Sequence, residues 1–86
     1  MPETPEDPEL VRDRRLALGQ RLRTLRTDRN LSQSAVAAAA GLARPYYGGI
    51  ESGQHNISVA NLWAIADALG VDIGELFTSS STEKSD

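Results

Sequence analysis

Two places in this chain hold residues able to grip an anion or read paired acceptors: Gln33, which opens the run QSAVAAAAGLARPYYGGIES, and Arg44-Pro45-Tyr46 within it. The Arg44 guanidinium can donate two parallel hydrogen bonds to neighbouring acceptor atoms. Gln33 begins a helical stretch, where unpaired backbone N–H groups and the positive end of the helix dipole favour a negative group. Catalytic chemistry has no comparable footing. The chain has no cysteine, its single histidine (His55) has neither cysteine nor acidic neighbours, and Gly48-Gly49 does not follow a strand. Glu51 reads as a structural acid near a helix end. We expect no enzyme, no metal site and no cofactor.

Holding those side chains in place requires two short helices and a tight turn. Ala37 falls where the helices cross, and at a steep crossing only a small side chain lets the partner approach. Val36, Ala40, Leu42, Tyr47 and Ile50 recur at spacings that return both helices to one core. Gly41 sits at the turn, which asks for a positive φ that glycine adopts without steric penalty.

The flanking sequence supplies the rest of that core. Asp7-Pro8-Glu9 is a helix start, with a capping carboxylate, a proline suited to the first turn and an acid matched to the dipole. The first helix then runs to about Thr27, with Val11, Leu18, Leu22 and Leu25 on one stripe and Leu16 pointing away from it. Gly19 weakens that helix by about 1 kcal/mol relative to alanine. Asp28-Arg29-Asn30 connects it to Leu31 and the capping Ser32. Helices follow over 33–40 and 44–52, the second stopped by Gly53. Ser58 caps a fourth helix with Val59, Leu62, Ile65, Ala66 and Leu69 at core spacing, ended by Gly70. Asp72 caps a last turn containing Leu76 and Phe77. No strand pattern and no internal repeat occur, so the expected fold is all-α, a five-helix bundle.

Eighty-six residues make one domain with a small core, so pairing between subunits would add stability. No apolar run approaches 18 residues and no signal-peptide pattern opens the chain, which points to a cytoplasmic protein away from membranes. The net charge of −3 hides a strong asymmetry. Residues 1–11 carry −4; residues 12–44 carry eight arginines against Asp13 and Asp28, giving +6; residues 45–86 carry six acids against Lys84, giving −5. Screening confines each charge to about 8–10 Å, so the local field decides what is attracted. Most arginines of the first helix read as a solvated face.

In this order and with these gaps, LGQRLRTLR, LSQ, AAAAGLA, YYGGIESGQHN and SVANLWAIADALGVDIGELF resemble the helix-turn-helix DNA-binding family of Cro and the phage lambda-type repressors. The resemblance covers about Leu18 to Phe77, roughly 60 of the 86 residues. It implies a compact lambda-repressor-like domain over 8–77, with its motif at about 33–52. Residues 1–7 would form an acidic flexible arm and residues 78–86 a disordered polar tail. The implied function is sequence-specific binding of double-stranded DNA to regulate transcription, as a dimeric repressor associated with the nucleoid. A protein-interaction module or antitoxin-like partner on the same fold is the alternative, and a regulatory protein partner is compatible with either.

The resemblance makes 44–52 the recognition helix, with Arg44, Pro45, Gly48 and Gly49 turned towards the bases. Arg44 would bond both acceptors of a guanine, or else a phosphate. Pro45 would lie against a thymine methyl or simply stiffen the first turn. Gln33 and Arg26 match the family's backbone contacts. His55 and Asn56 occupy the loop that reaches the next phosphates, with a loop-backbone bond as the alternative for Asn56. The Tyr46 hydroxyl would meet a phosphate, or its ring would pack on the edge of the preceding helix. Gly48-Gly49 departs from the family's polar pattern. Either the glycines admit a close approach by the backbone or a neighbouring side chain, or the shape of the DNA carries part of the specificity. Val71, Ile73, Leu76, Phe77 and Trp63 are the candidates for a dimer contact.

Overall fold

The Asp7 carboxylate accepts the backbone N–H groups of Glu9 and Leu10 at 3.0 and 3.2 Å and so starts α1, Pro8–Asp28. The computed structural model describes residues 7–78. After α1 come α2 (Gln33–Ala40), α3 (Arg44–Glu51), α4 (Val59–Leu69) and a terminal 3-10 turn, Ile73–Phe77. The expected all-α architecture is present, with its fifth element a 3-10 turn rather than an α-helix. Of the arm expected over 1–7 and the tail expected over 78–86, all but Asp7 and Thr78 lie outside the described residues.

Side-chain caps set two more helix starts. Ser32 Oγ accepts the Ala35 N–H at 3.0 Å, and Ser58 Oγ accepts the Asn61 N–H at 3.1 Å. Between α2 and α3 the chain turns at Gly41 (φ 73°), and the Leu42 N–H reaches back to the Ala37 carbonyl at 2.9 Å. A Cβ is disfavoured in that left-handed conformation.

Leu22, Leu25, Val36, Ala37, Tyr47, Ile50, Leu62, Ile65, Ala66, Leu69 and Leu76 form the buried core. Each fully buried leucine or isoleucine contributes about 1.5–3 kcal/mol from lost water contact. Leu18, Leu31, Ala40 and Leu42 pack on its rim. Val59 departs from expectation. It is exposed, because as the first residue of α4 it lies beyond the reach of the core and shares the outer face with Trp63, one turn on.

Gly19 changes meaning in three dimensions. It is buried where α1 crosses α3, and a Cβ there would stand 2.3 Å from the Glu51 carbonyl oxygen and 2.7 Å from that of Ile50. The missing side chain lets two backbones touch. Leu16 remains partly exposed, yet it also has a role, since its Cδ2 lies 2.8 Å from where a Cβ on Gly53 would be.

Candidate nucleic-acid interface

Beneath the α2–α3 motif lies a polar cluster that fixes both helices to α1. Arg26, in the last turn of α1, donates from Nε to Glu51 Oε2 at 2.7 Å and from Nη2 to Glu51 Oε1 at 3.1 Å. Its Nη1 donates to the Leu31 carbonyl at 2.8 Å. Gln33 Nε2, at the start of α2, donates to Glu51 Oε1 at 2.9 Å. Burial alone would raise the Glu51 carboxyl, but the hydrogen bonds led by Arg26 and joined by Gln33 outweigh it and hold the group below its ordinary range. The same bond to Glu51 pushes the Arg26 guanidinium up against the opposing cost of burial. Tyr47 is sealed beside this cluster, and burial drives its phenol well above the usual tyrosine range.

Arg26 was expected at the phosphates; the structure spends its donors inside the protein. Its side chain is only 11% exposed, and each nitrogen of the guanidinium bonds to Glu51 or Leu31. Glu51 is the structural acid that the sequence suggested. Its pairing with a residue 25 positions away on another helix leaves no local signature.

The outward face of α3 is bare. Pro45, Gly48, Gly49 and Ser52 fall on one stripe, opposite Tyr47 and Ile50. Two neighbours cover its middle. A Cβ on Gly48 would lie 3.2 Å from Gln33 Oε1, and one on Gly49 would lie 2.5 Å from His55 Nε2. This explains the glycine pair through packing by neighbouring side chains. It also corrects the expectation for Gly49, which is buried under the imidazole rather than turned to the outside.

The remaining residues gather around that face. Arg44 and Pro45 are exposed at the amino-terminal end of α3, where Ala43 supplies no side-chain cap to the first N–H groups. Tyr46 is partly buried and packs against the core. Its hydroxyl accepts from Asn61 Nδ2 on α4 at 3.2 Å, and its ring stands 5.0 Å from that of His55. Asn56 makes a side-chain bond in place of the expected loop-backbone one: its Oδ1 accepts from Arg15 Nη1 of α1 at 3.1 Å. Arg15 and Asn61 therefore brace the interface from elements that no local spacing connects to it. Of the arginines read as a solvated face, Arg21 also works inside the molecule, its Nε donating to the Glu75 carbonyl at 2.9 Å.

Among the dimer candidates, Leu76 is fully buried and belongs to the core. Val71 and Ile73 pack against that core, whereas Trp63 and Phe77 are 52% and 62% exposed. No helix among the described residues is long and apolar enough to cross a membrane.

Comparison with known proteins agrees with this geometry. The Helix-turn-helix family model matches residues 22–76. Control protein C.MunI from a Mycoplasma species is 38% identical over 74 residues, which is 85% of this chain and all of that protein. The crystal structure of the restriction-modification controller protein C.AhdI from Aeromonas hydrophila superposes with a TM-score of 0.73 at 48% identity, covering 73% of this chain and 96% of that one. The hypothetical transcription factor NHTF from Neisseria superposes with a TM-score of 0.78 at 30% identity, over 85% and 82% of the two chains. With the matching order of helices, the left-handed turn at Gly41 and the α2–α3 motif braced on α1, the chain belongs to the Cro- and lambda-repressor-like helix-turn-helix family of sequence-specific DNA-binding transcriptional regulators.

Proposed function

We propose that the chain acts as a homodimeric controller whose two copies of α3 enter successive major grooves of an operator. The observation that carries this reading is the exposed Arg44 at the start of α3, beside a face on which Gln33 is already positioned. Arg44 reads a guanine through its paired acceptors, and Pro45 lies alongside against the neighbouring base. Gln33 and the free N–H groups at the start of α2 hold a phosphate. The Tyr46 hydroxyl accepts from Asn61 and keeps its own proton to donate to the same strand. Gly48 contributes by leaving room, and Asn56, held by Arg15, sets the loop against the next phosphate.

A single domain of this size makes few base contacts, and two-fold pairing doubles them. Trp63 and Val59 on the outer face of α4, with Phe77, provide the apolar surface for such pairing. The control-protein relatives support a role in governing a restriction-modification system. Selection of bound oligonucleotides from a random pool tests the proposal. It should enrich two related half-sites about 34 Å apart, one helical turn. Binding should weaken steeply with salt. Mapped to the host genome, the selected operator should precede a methyltransferase and its matching endonuclease. A pool that yields no enriched sequence overturns the proposal.

A further inference from the structure

We infer that His55 reads a base pair of the operator from the place a side chain at position 49 would hold, an inference that rests on the DNA-binding mode proposed above. The stripe of α3 formed by Pro45, Gly48, Gly49 and Ser52 has almost no side chains of its own to present. At Gly49 the nearest atoms to an added Cβ are His55 Nε2 at 2.5 Å and Cδ2 at 2.6 Å, and the third is Gln54 Oε1 at 3.6 Å. The other ring atoms are therefore farther off than that third contact. The imidazole meets the helix edge-on, its Nε2–Cδ2 side against Gly49, so that Nδ1, at the opposite corner of the ring, is the nitrogen farther from the α3 backbone.

The seat is rigid on two sides. One wall is the α3 backbone at Gly49. The other is the Tyr46 ring, with centroids 5.0 Å apart and planes at 37°, and Tyr46 is itself tied to Asn61 at 3.2 Å. A residue that only meets a phosphate needs a donor within reach and no fixed orientation. A ring held edge-on across the bare stripe has the orientation that base reading demands. Nδ1 can donate to the N7 acceptor that either purine shows in the major groove. Glycine at 49 is the cost of that arrangement, because any larger residue would evict the ring.

The test begins with the operator selected by the wild-type protein and measures binding to it and to its single-base variants. One purine in each half-site, distinct from the one that Arg44 reads, should cost about tenfold or more in affinity when replaced. His55→Ala should level that position while the other preferences persist. Gly49→Ala should do the same by displacing the ring, and adding it to His55→Ala should change nothing further. Replacing the purine by its 7-deaza analogue should weaken the wild type but leave His55→Ala unaffected. Circular dichroism of each variant keeps misfolding separate from lost contact.

A uniform loss across all sequences in His55→Ala, with every preference kept, would make His55 a phosphate contact and overturn the inference. Equal sensitivity of both proteins to the 7-deaza analogue would do so too. If the wild type selects no operator, the DNA-binding mode fails first and the inference falls with it.

Discussion

The Arg26 guanidinium and the Glu51 carboxylate close a two-bond fork between the last turn of α1 and the last turn of α3, at 2.7 and 3.1 Å. Their side chains are 11% and 4% exposed, so both charges have left water. Such a pair stabilises only where the remaining donors and acceptors are also met. Here Leu31 takes the third guanidinium nitrogen and Gln33 bonds the carboxylate from above. One fork thereby sets the angle of α3 and the rotamer of Gln33 together.

Removing either partner leaves the other charge buried and alone. Arg26→Ala is expected to cost about 3 kcal/mol, near the lower end for buried pairs because Arg26 keeps some exposure. Urea denaturation at neutral pH measures it. A loss below about 1 kcal/mol would show that the helices hold their angle without the fork.

Acid should unmake the same fork. The folded protein holds the Glu51 carboxyl below its ordinary value, so the unfolded chain binds a proton more readily. The resulting stability is complete above the unfolded value of about 4.3 and is lost as pH falls through the folded one. Thermal unfolding of the wild type should therefore drop steeply in that acid range. Glu51→Gln should be less stable at neutral pH and show a flatter acid limb. Parallel curves for the two proteins would remove Glu51 as the titrating group.

Gly19→Ala sets helix propensity against packing. Propensity favours alanine by about 1 kcal/mol. The added Cβ, however, would stand 2.3 Å from the Glu51 carbonyl oxygen, a backbone atom that cannot swing aside. Overpacking of this kind costs about 1–3 kcal/mol, so the variant should be the less stable protein in urea. An equal or higher midpoint would mean that α1 and α3 can separate freely.

Gly19 also marks how far one sequence can be read. Caps at Asp7, Ser32 and Ser58, the turn at Gly41 and the core stripes rest on local spacing, and each element stands within a residue or so of its expected bounds. The braces do not rest on local spacing. Arg15 with Asn56 and Arg26 with Glu51 join residues 41 and 25 positions apart, and no periodicity within a helix pairs them. Gly48 and Gly49 read as a weakness in α3 until Gln33 and His55 are seen lying over them. Side chains that cross between elements carry most of the site, which is why the helices were legible and the roles of Arg26, Gly49 and Asn56 were not.

Arg44 and Gln33 should separate reading from gripping. Arg44→Ala is expected to relax preference at one operator position by about tenfold, since a bidentate contact to guanine discriminates by 1–3 kcal/mol. Gln33→Ala should weaken all sequences alike, roughly three- to tenfold, as loss of one hydrogen bond implies. Competition binding against single-base variants distinguishes them. Unchanged preference in Arg44→Ala, or a changed preferred sequence in Gln33→Ala, would reverse the assignment.

Pairing through the outer face of α4 makes a prediction that counts twice. In a two-fold interface each substitution removes the same contact from both copies, so truncating one anchoring aromatic weakens the dimer severely. Trp63→Ala or Phe77→Ala should shift sedimentation toward monomer, whereas Leu76→Ala, fully buried in the core, should lower folding stability by about 2–5 kcal/mol. Trp63 is the chain's single tryptophan, so its fluorescence reports the surface directly. Half-exposed in one protomer, it should move to shorter emission wavelengths as concentration rises and water is excluded. Emission that stays red at every concentration, in a protein that sediments as a dimer, would place the interface elsewhere.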